Sequence, residues 1–82
     1  MDRHELILPD LGTGELPITV GVWLARRGQQ VSAGEPLVEV VVGSAVVDLP
    51  SPKTGVLVEL LVEEDERIEV GQILAVVERE DW

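Results

Sequence analysis

Cysteine, tyrosine and phenylalanine are absent from this chain, and histidine occurs once. The missing thiols exclude disulfides, thiolate nucleophiles and cysteine zinc sites. With one His, a metal site would be nearly all carboxylate, and no loop has the ligand spacing of a hard-cation site. Cations are scarce as well. Six Lys and Arg face sixteen Asp and Glu, and the net charge of −10 opposes binding to nucleic acid phosphates or anionic lipid. No apolar run approaches the ~20 residues of a membrane-spanning helix, and Met1 to Glu5 does not open like a signal peptide. The chain is therefore expected to be cytoplasmic, with no nucleic acid and no membrane partner. A sustained helical period is also missing, while seven or eight short apolar runs are bounded by Gly, Pro or charge. Eighty-two residues at 45% hydrophobic are expected to form one all-β domain over 1–82 with a modest core, monomeric by default.

What the chain does contain is organised around Glu39 to Gly55, E-V-V-V-G-S-A-V-V-D-L-P-S-P-K-T-G. Two β-branched runs, Val38 to Val42 and Ala45 to Leu49, flank Gly43-Ser44. Glycine at the first central position permits the positive φ of a type II′ turn, so the pair reads as the tip of a β-hairpin. Pro50-Ser51-Pro52 follows, and its prolines cannot donate ladder hydrogen bonds, which ends the outgoing strand. Since strand neighbours alternate faces, at least one of Val40, Val41 and Val42 points outward near the tip.

Further strands are expected over His4 to Leu8, Ile18 to Leu24, Gly55 to Val62 and Ile73 to Glu78, with Val31 to Gly34 a short connection and Glu63 to Glu66 an acidic turn. An internal repeat supports this order. A shift of 37 residues lays Leu24 to Gly34 over Leu61 to Gly71, and apolar positions meet apolar ones. Two similar halves, each contributing one sheet, predict a flattened β-sandwich of two small antiparallel sheets with an internal pseudo-twofold, the hairpin tip at one end and the termini at the other.

From about Glu5 to Glu78 the order of elements resembles the biotinyl/lipoyl attachment domains of 2-oxo acid dehydrogenase complexes. The resemblance is carried by Leu8-Pro9-Asp10-Leu11-Gly12, Trp23-Leu24, Gly28-Gln29-Gln30-Val31, the hairpin with its P-S-P, and Val70 to Glu78. It implies a carrier sandwich whose hairpin presents a lysine for lipoate or biotin. Six residues back from Pro50, the position of that lysine holds Ser44, between Gly43 and Ala45. The acidic residues that usually precede the lysine are replaced by Val41, Val42 and Gly43.

An acyl ligase needs an amine nucleophile, and a serine hydroxyl is a poor substitute. The only lysine, Lys53, lies beyond the hairpin in P-S-P-K-T-G. No lipoyl or biotinyl group is therefore expected, and by resemblance the chain is a non-catalytic binding or scaffolding module with protein partners in a 2-oxo acid dehydrogenase-type complex. The alternative is a working carrier modified at Lys53. His4 is read as a surface residue, and Gly12-Thr13-Gly14 lacks the lysine and following helix of a phosphate loop. One His and a few turn hydroxyls assemble no catalytic constellation, so the chain is not expected to be an enzyme by itself.

Overall fold

The computed structural model describes residues 2–79. It contains eight strands: β1 (Asp2–Ile7), β2 (Ile18–Trp23), β3 (Gln30–Val31), β4 (Pro36–Val42), β5 (Ala45–Pro50), β6 (Gly55–Leu60), β7 (Arg67–Ile68) and β8 (Ile73–Arg79). They form two four-stranded antiparallel sheets, ordered β1-β8-β6-β3 and β5-β4-β2-β7. Alternation within the strands explains the layering. Val38, Val40 and Val42 of β4 are buried while Glu39 and Val41 are half-exposed between them. Leu8, Leu37, Leu57, Leu74, Val20, Val31 and Val77 are the other fully buried side chains of the apolar centre. Each such side chain removed from water contributes roughly 1.5–3 kcal/mol before conformational entropy is subtracted.

The repeat is expressed bond by bond. A shift of 37 residues carries β2, β3 and β4 onto β6, β7 and β8 with identical bounds. The bulge between Val20 and Val22 recurs between Leu57 and Glu59. Leu24 N donates to Leu37 O at 2.8 Å as Leu61 N does to Leu74 O at 2.9 Å. The tight turn in which Gln29 Oε1 accepts from Arg26 N at 3.0 Å is matched by Glu66 Oε1 and Glu63 N at 3.1 Å. β1 stands to β8 as β5 stands to β4, and Asp2↔Arg79 is the counterpart of Ala45↔Val42. The molecule measures 43 × 19 × 18 Å.

Several expectations are corrected. The halves do not each build a whole sheet, because β3 of the first half pairs with β6 of the second and β7 pairs with β2. These two-residue strands are too short to carry an alternation, and the segment from Val31 to Gly34 was expected only as a connection. The second strand stops at Trp23 and the sixth at Leu60, since Leu24 and Leu61 turn outward to 44% and 50% exposure. The first strand is Asp2–Ile7, and Leu8 lies beyond it as a fully buried plug.

His4 is not a surface residue. It is half-buried on β1 opposite Val77, and its Nε2 is enclosed without a hydrogen-bond partner. The twofold counterpart is Val47, so the position asks for an apolar side chain. Above the other face, Arg3 bridges Glu78 at 3.0 Å and Glu59 at 3.4 Å.

Glycine is demanded outright at Gly55, where a Cβ would collide with the backbone carbonyl of Glu78. The symmetry exposes a second local requirement. Gly28 has φ +89°, and its counterpart Asp65 is held at φ +71°, the left-handed region that an L side chain resists. We therefore expect Asp65→Gly to raise stability by about 0.5–1 kcal/mol in urea unfolding, Asp65→Asn to gain less, and Gly28→Ala to lose about 1 kcal/mol. His4→Val, which removes an unsatisfied buried nitrogen, is expected to stabilise by about 1 kcal/mol in the same assay.

Candidate functional site

The hairpin tip is built by β4 and β5, whose last ladder pair is Val42↔Ala45. Only Gly43 and Ser44 remain between them. Gly43 has φ +60° and Ser44 is not in the positive-φ region, the signature of the expected type II′ turn. Gly43, Ser44 and Ala45 are all exposed. The three residues read from the sequence thus lie together at one solvent-facing tip. β5 can carry Pro50 because it is an edge strand, and the chain leaves the ladder there.

The surroundings of the tip were only partly anticipated. Val41 is the outward-facing valine of its run, while Val40 and Val42 point into the core. Its cross-strand partner Val46, not singled out beforehand, is 58% exposed. The next outward pair down the hairpin is Glu39↔Asp48, two like charges directly opposed, an arrangement that weakens a ladder. Leu16 was missed too. It reaches from the loop before β2 to within 3.7 Å of where a Gly43 Cβ would stand, and it is itself 53% exposed. The signal was a leucine between Glu15 and Pro17, the second leucine of the loop after Leu11.

Lys53 is not part of this site. The hairpin base is marked by Pro36↔Pro50, a strand length of roughly 20 Å from the tip, and Lys53 follows that base. It is exposed and lines a cleft with Thr54 and Arg79. Ser51, buried at 3%, ties the turn by donating its hydroxyl to Lys53 O at 2.7 Å. Trp23 anchors the opposite loop through Nε1, which donates to Val62 O at 3.0 Å, while its backbone N–H donates to Glu64 Oε2 at 3.0 Å. Among the described residues no three His, Asp or Glu side chains converge as metal ligands, and no helix is long and apolar enough to cross a membrane.

A twofold-repeated pair of four-stranded sheets that ends in an exposed two-residue hairpin tip defines the class: a biotinyl/lipoyl-type carrier sandwich. The family model described as Biotin-requiring enzyme matches residues 4–77, and the chain belongs to that family. It is 38% identical over 74 residues to the dihydrolipoyllysine-residue succinyltransferase component of the 2-oxoglutarate dehydrogenase complex of Bartonella vinsonii subsp. berkhoffii, covering 90% of this chain and 18% of that protein. It is 41% identical over 74 residues to the dihydrolipoyllysine-residue acetyltransferase component of the pyruvate dehydrogenase complex of Mycobacterium bovis, covering 90% and 13%. The chain thus spans less than a fifth of the length of these relatives. The urea carboxylase of Kluyveromyces lactis superposes with a TM-score of 0.78 at 19% identity, over 94% of this chain and 6% of that one, a likeness of fold alone.

The tip geometry rests on one backbone angle. Gly43→Ala is expected to cost about 1 kcal/mol, read as a lowered urea midpoint, with no steric contribution because an added methyl would meet Leu16 only at ordinary contact distance.

Proposed function

We propose that this domain has kept the carrier scaffold and lost the carrier chemistry, and that it acts as a non-catalytic binding or scaffolding module within a complex of the 2-oxo acid dehydrogenase type. The observation that carries the reading is the tip itself, where Ser44 takes the exposed second central position of the turn. Lipoate and biotin are held as amides, which require an amine at the attachment point, and a hydroxyl does not supply one. The group therefore does not fit this tip. Val41, Val42 and Gly43 in place of acidic neighbours support a lineage that stopped being modified, rather than one altered side chain.

What remains is a hairpin end decorated by Leu16, Val41 and Val46, suited to contact with a protein surface. Similarity to acyltransferase components of dehydrogenase complexes supports partners of that kind. In this reading the domain is cytoplasmic, monomeric and not an enzyme by itself. Its strong negative charge favours solubility and keeps copies apart.

The second reading keeps Lys53 as an unconventional attachment point. It is favoured by one observation, the exposure of the chain's only lysine, and opposed by its place at the hairpin base.

The test is the intact mass of the wild-type chain and of Ser44→Lys after co-expression with a lipoyl ligase or a biotin ligase and the free acid. Wild type is expected to stay at its sequence mass while Ser44→Lys gains one lipoyl or biotinyl group. A gain on the wild type that peptide mapping places at Lys53 would sink the scaffold reading.

A further inference from the structure

The twofold gives each outer sheet face a twin, and the two faces are finished differently. On the face of β1, β8 and β6, Arg3 stands opposite Glu78, and Val76 stands between Glu5 and Glu59. Arg3 reaches across β8 to hold Glu78 at 3.0 Å and Glu59 at 3.4 Å. Val76 points away from the core that takes in its neighbours Ala75 and Val77, yet it is only 3% exposed. This face is closed by its own side chains.

The equivalent positions on β5, β4 and β2 hold acids and valines without the cation. Val46 stands for Arg3, Val41 for Glu78, Val22 for Glu59, Glu39 for Val76 and Asp48 for Glu5. Glu39 therefore sits between Asp48 and Val22 in one cross-strand row, and Val41 sits beside Val46 in the next. Val22, Val46 and Asp48 are exposed, and Glu39 and Val41 are half-exposed. Neither the Glu39 nor the Asp48 carboxylate forms an ion pair among the described residues. Two carboxylates directly opposed on a strand pair repel, and a cation set between them turns one repulsion into two attractions.

We propose that this face, Glu39 and Asp48 with Val22, Val41 and Val46 around them, is a docking surface for a protein segment that presents an arginine among apolar side chains. The partner's guanidinium takes the part that Arg3 plays in the twin. Directly opposed side chains start about 5 Å apart, a span that one planar guanidinium bridges by donating to both carboxylates. The valines bury apolar surface of the partner and keep water from the ion pair. The net charge of −10 draws such a segment from a distance. The inference rests on the reading of the domain as a binding module and adds the chemistry of its partner.

The test is a ¹H–¹⁵N NMR titration of the chain with acetyl-Leu-Arg-Leu-Arg-Leu-amide at ionic strength held constant with chloride. Two control peptides replace leucine by glycine or arginine by glutamate. Saturable shifts are expected at the amides of Val22, Glu39, Val41, Val46 and Asp48 with the first peptide, about tenfold weaker binding with the glycine peptide and none with the glutamate peptide. Glu39→Gln and Asp48→Asn should each weaken the binding about fivefold, the worth of a partly exposed ion pair, while Glu5→Gln on the twin face leaves it unchanged. Val46→Arg, which supplies the cation from within the hairpin, should abolish it. Shifts that never saturate, that centre on the Glu63 to Glu66 turn, that are as strong with the glycine peptide, or that survive Glu39→Gln overturn the proposal. The spectra themselves report whether each variant is folded. A wild type that gains no mass with either ligase and fails to bind the first peptide keeps the module reading and loses this surface. A wild type acylated at Lys53 that binds the peptide at this face loses the module reading and keeps the surface.

Discussion

The sandwich depends on backbone hydrogen bonds that each half makes only with the other. Gly28 N donates to Leu57 O and Leu57 N to Gln29 O, while Asp65 N donates to Val20 O and Val20 N to Glu66 O. Each tight turn is thus closed against a central strand of the opposite half, and the two-residue strands β3 and β7 exist only by virtue of that exchange. A half chain would leave these donors and acceptors unpaired and would expose Val20, Val40, Leu57 and Val77 to water. The interlock also explains why the left-handed conformation at Gly28 is imposed on Asp65. The turn must reach the facing strand, and an aspartate tolerates the angle better than most side chains.

Within that frame the two ends are free to differ. One presents the Gly43-Ser44 turn flanked by Leu16, Val41 and Val46, and the other carries Lys53 and Thr54 at the positions that the twofold relates to Leu16 and Pro17. The core pairs, among them Leu37 with Leu74 and Val40 with Val77, remain alike because each buried position is fixed by packing from both sheets. Residues at the ends carry no such load, so they are where two copies of one motif are free to diverge. The Glu39↔Asp48 opposition fits the same pattern, since a hairpin stabilised by its inner face can carry an unfavourable outer pair.

Much of this was readable in the residues. The hairpin tip followed from Gly43-Ser44 between β-branched runs, and the sandwich from the 37-residue repeat, because both signals are local patterns that the backbone must obey. The exchange of β3 and β7 was not, since pairing partners far apart in sequence leave no trace in a two-residue window. His4 was misread because its surroundings are set by β8, more than seventy residues away, and only the twofold counterpart Val47 reveals what the position prefers. Leu16 and Val46 escaped notice for a related reason: a lone apolar residue gains meaning only when the fold sets it beside the tip.

One further property follows from the pairing of Asp2 with Arg79. That pair stands to β1 and β8 as Ala45 and Val42 stand to the hairpin, so Asp2 and Arg79 meet where the other half has a tight turn. A turn of the Gly-Ser kind between Arg79 and Asp2, with a cut made at the tip instead, would preserve every ladder and the whole core.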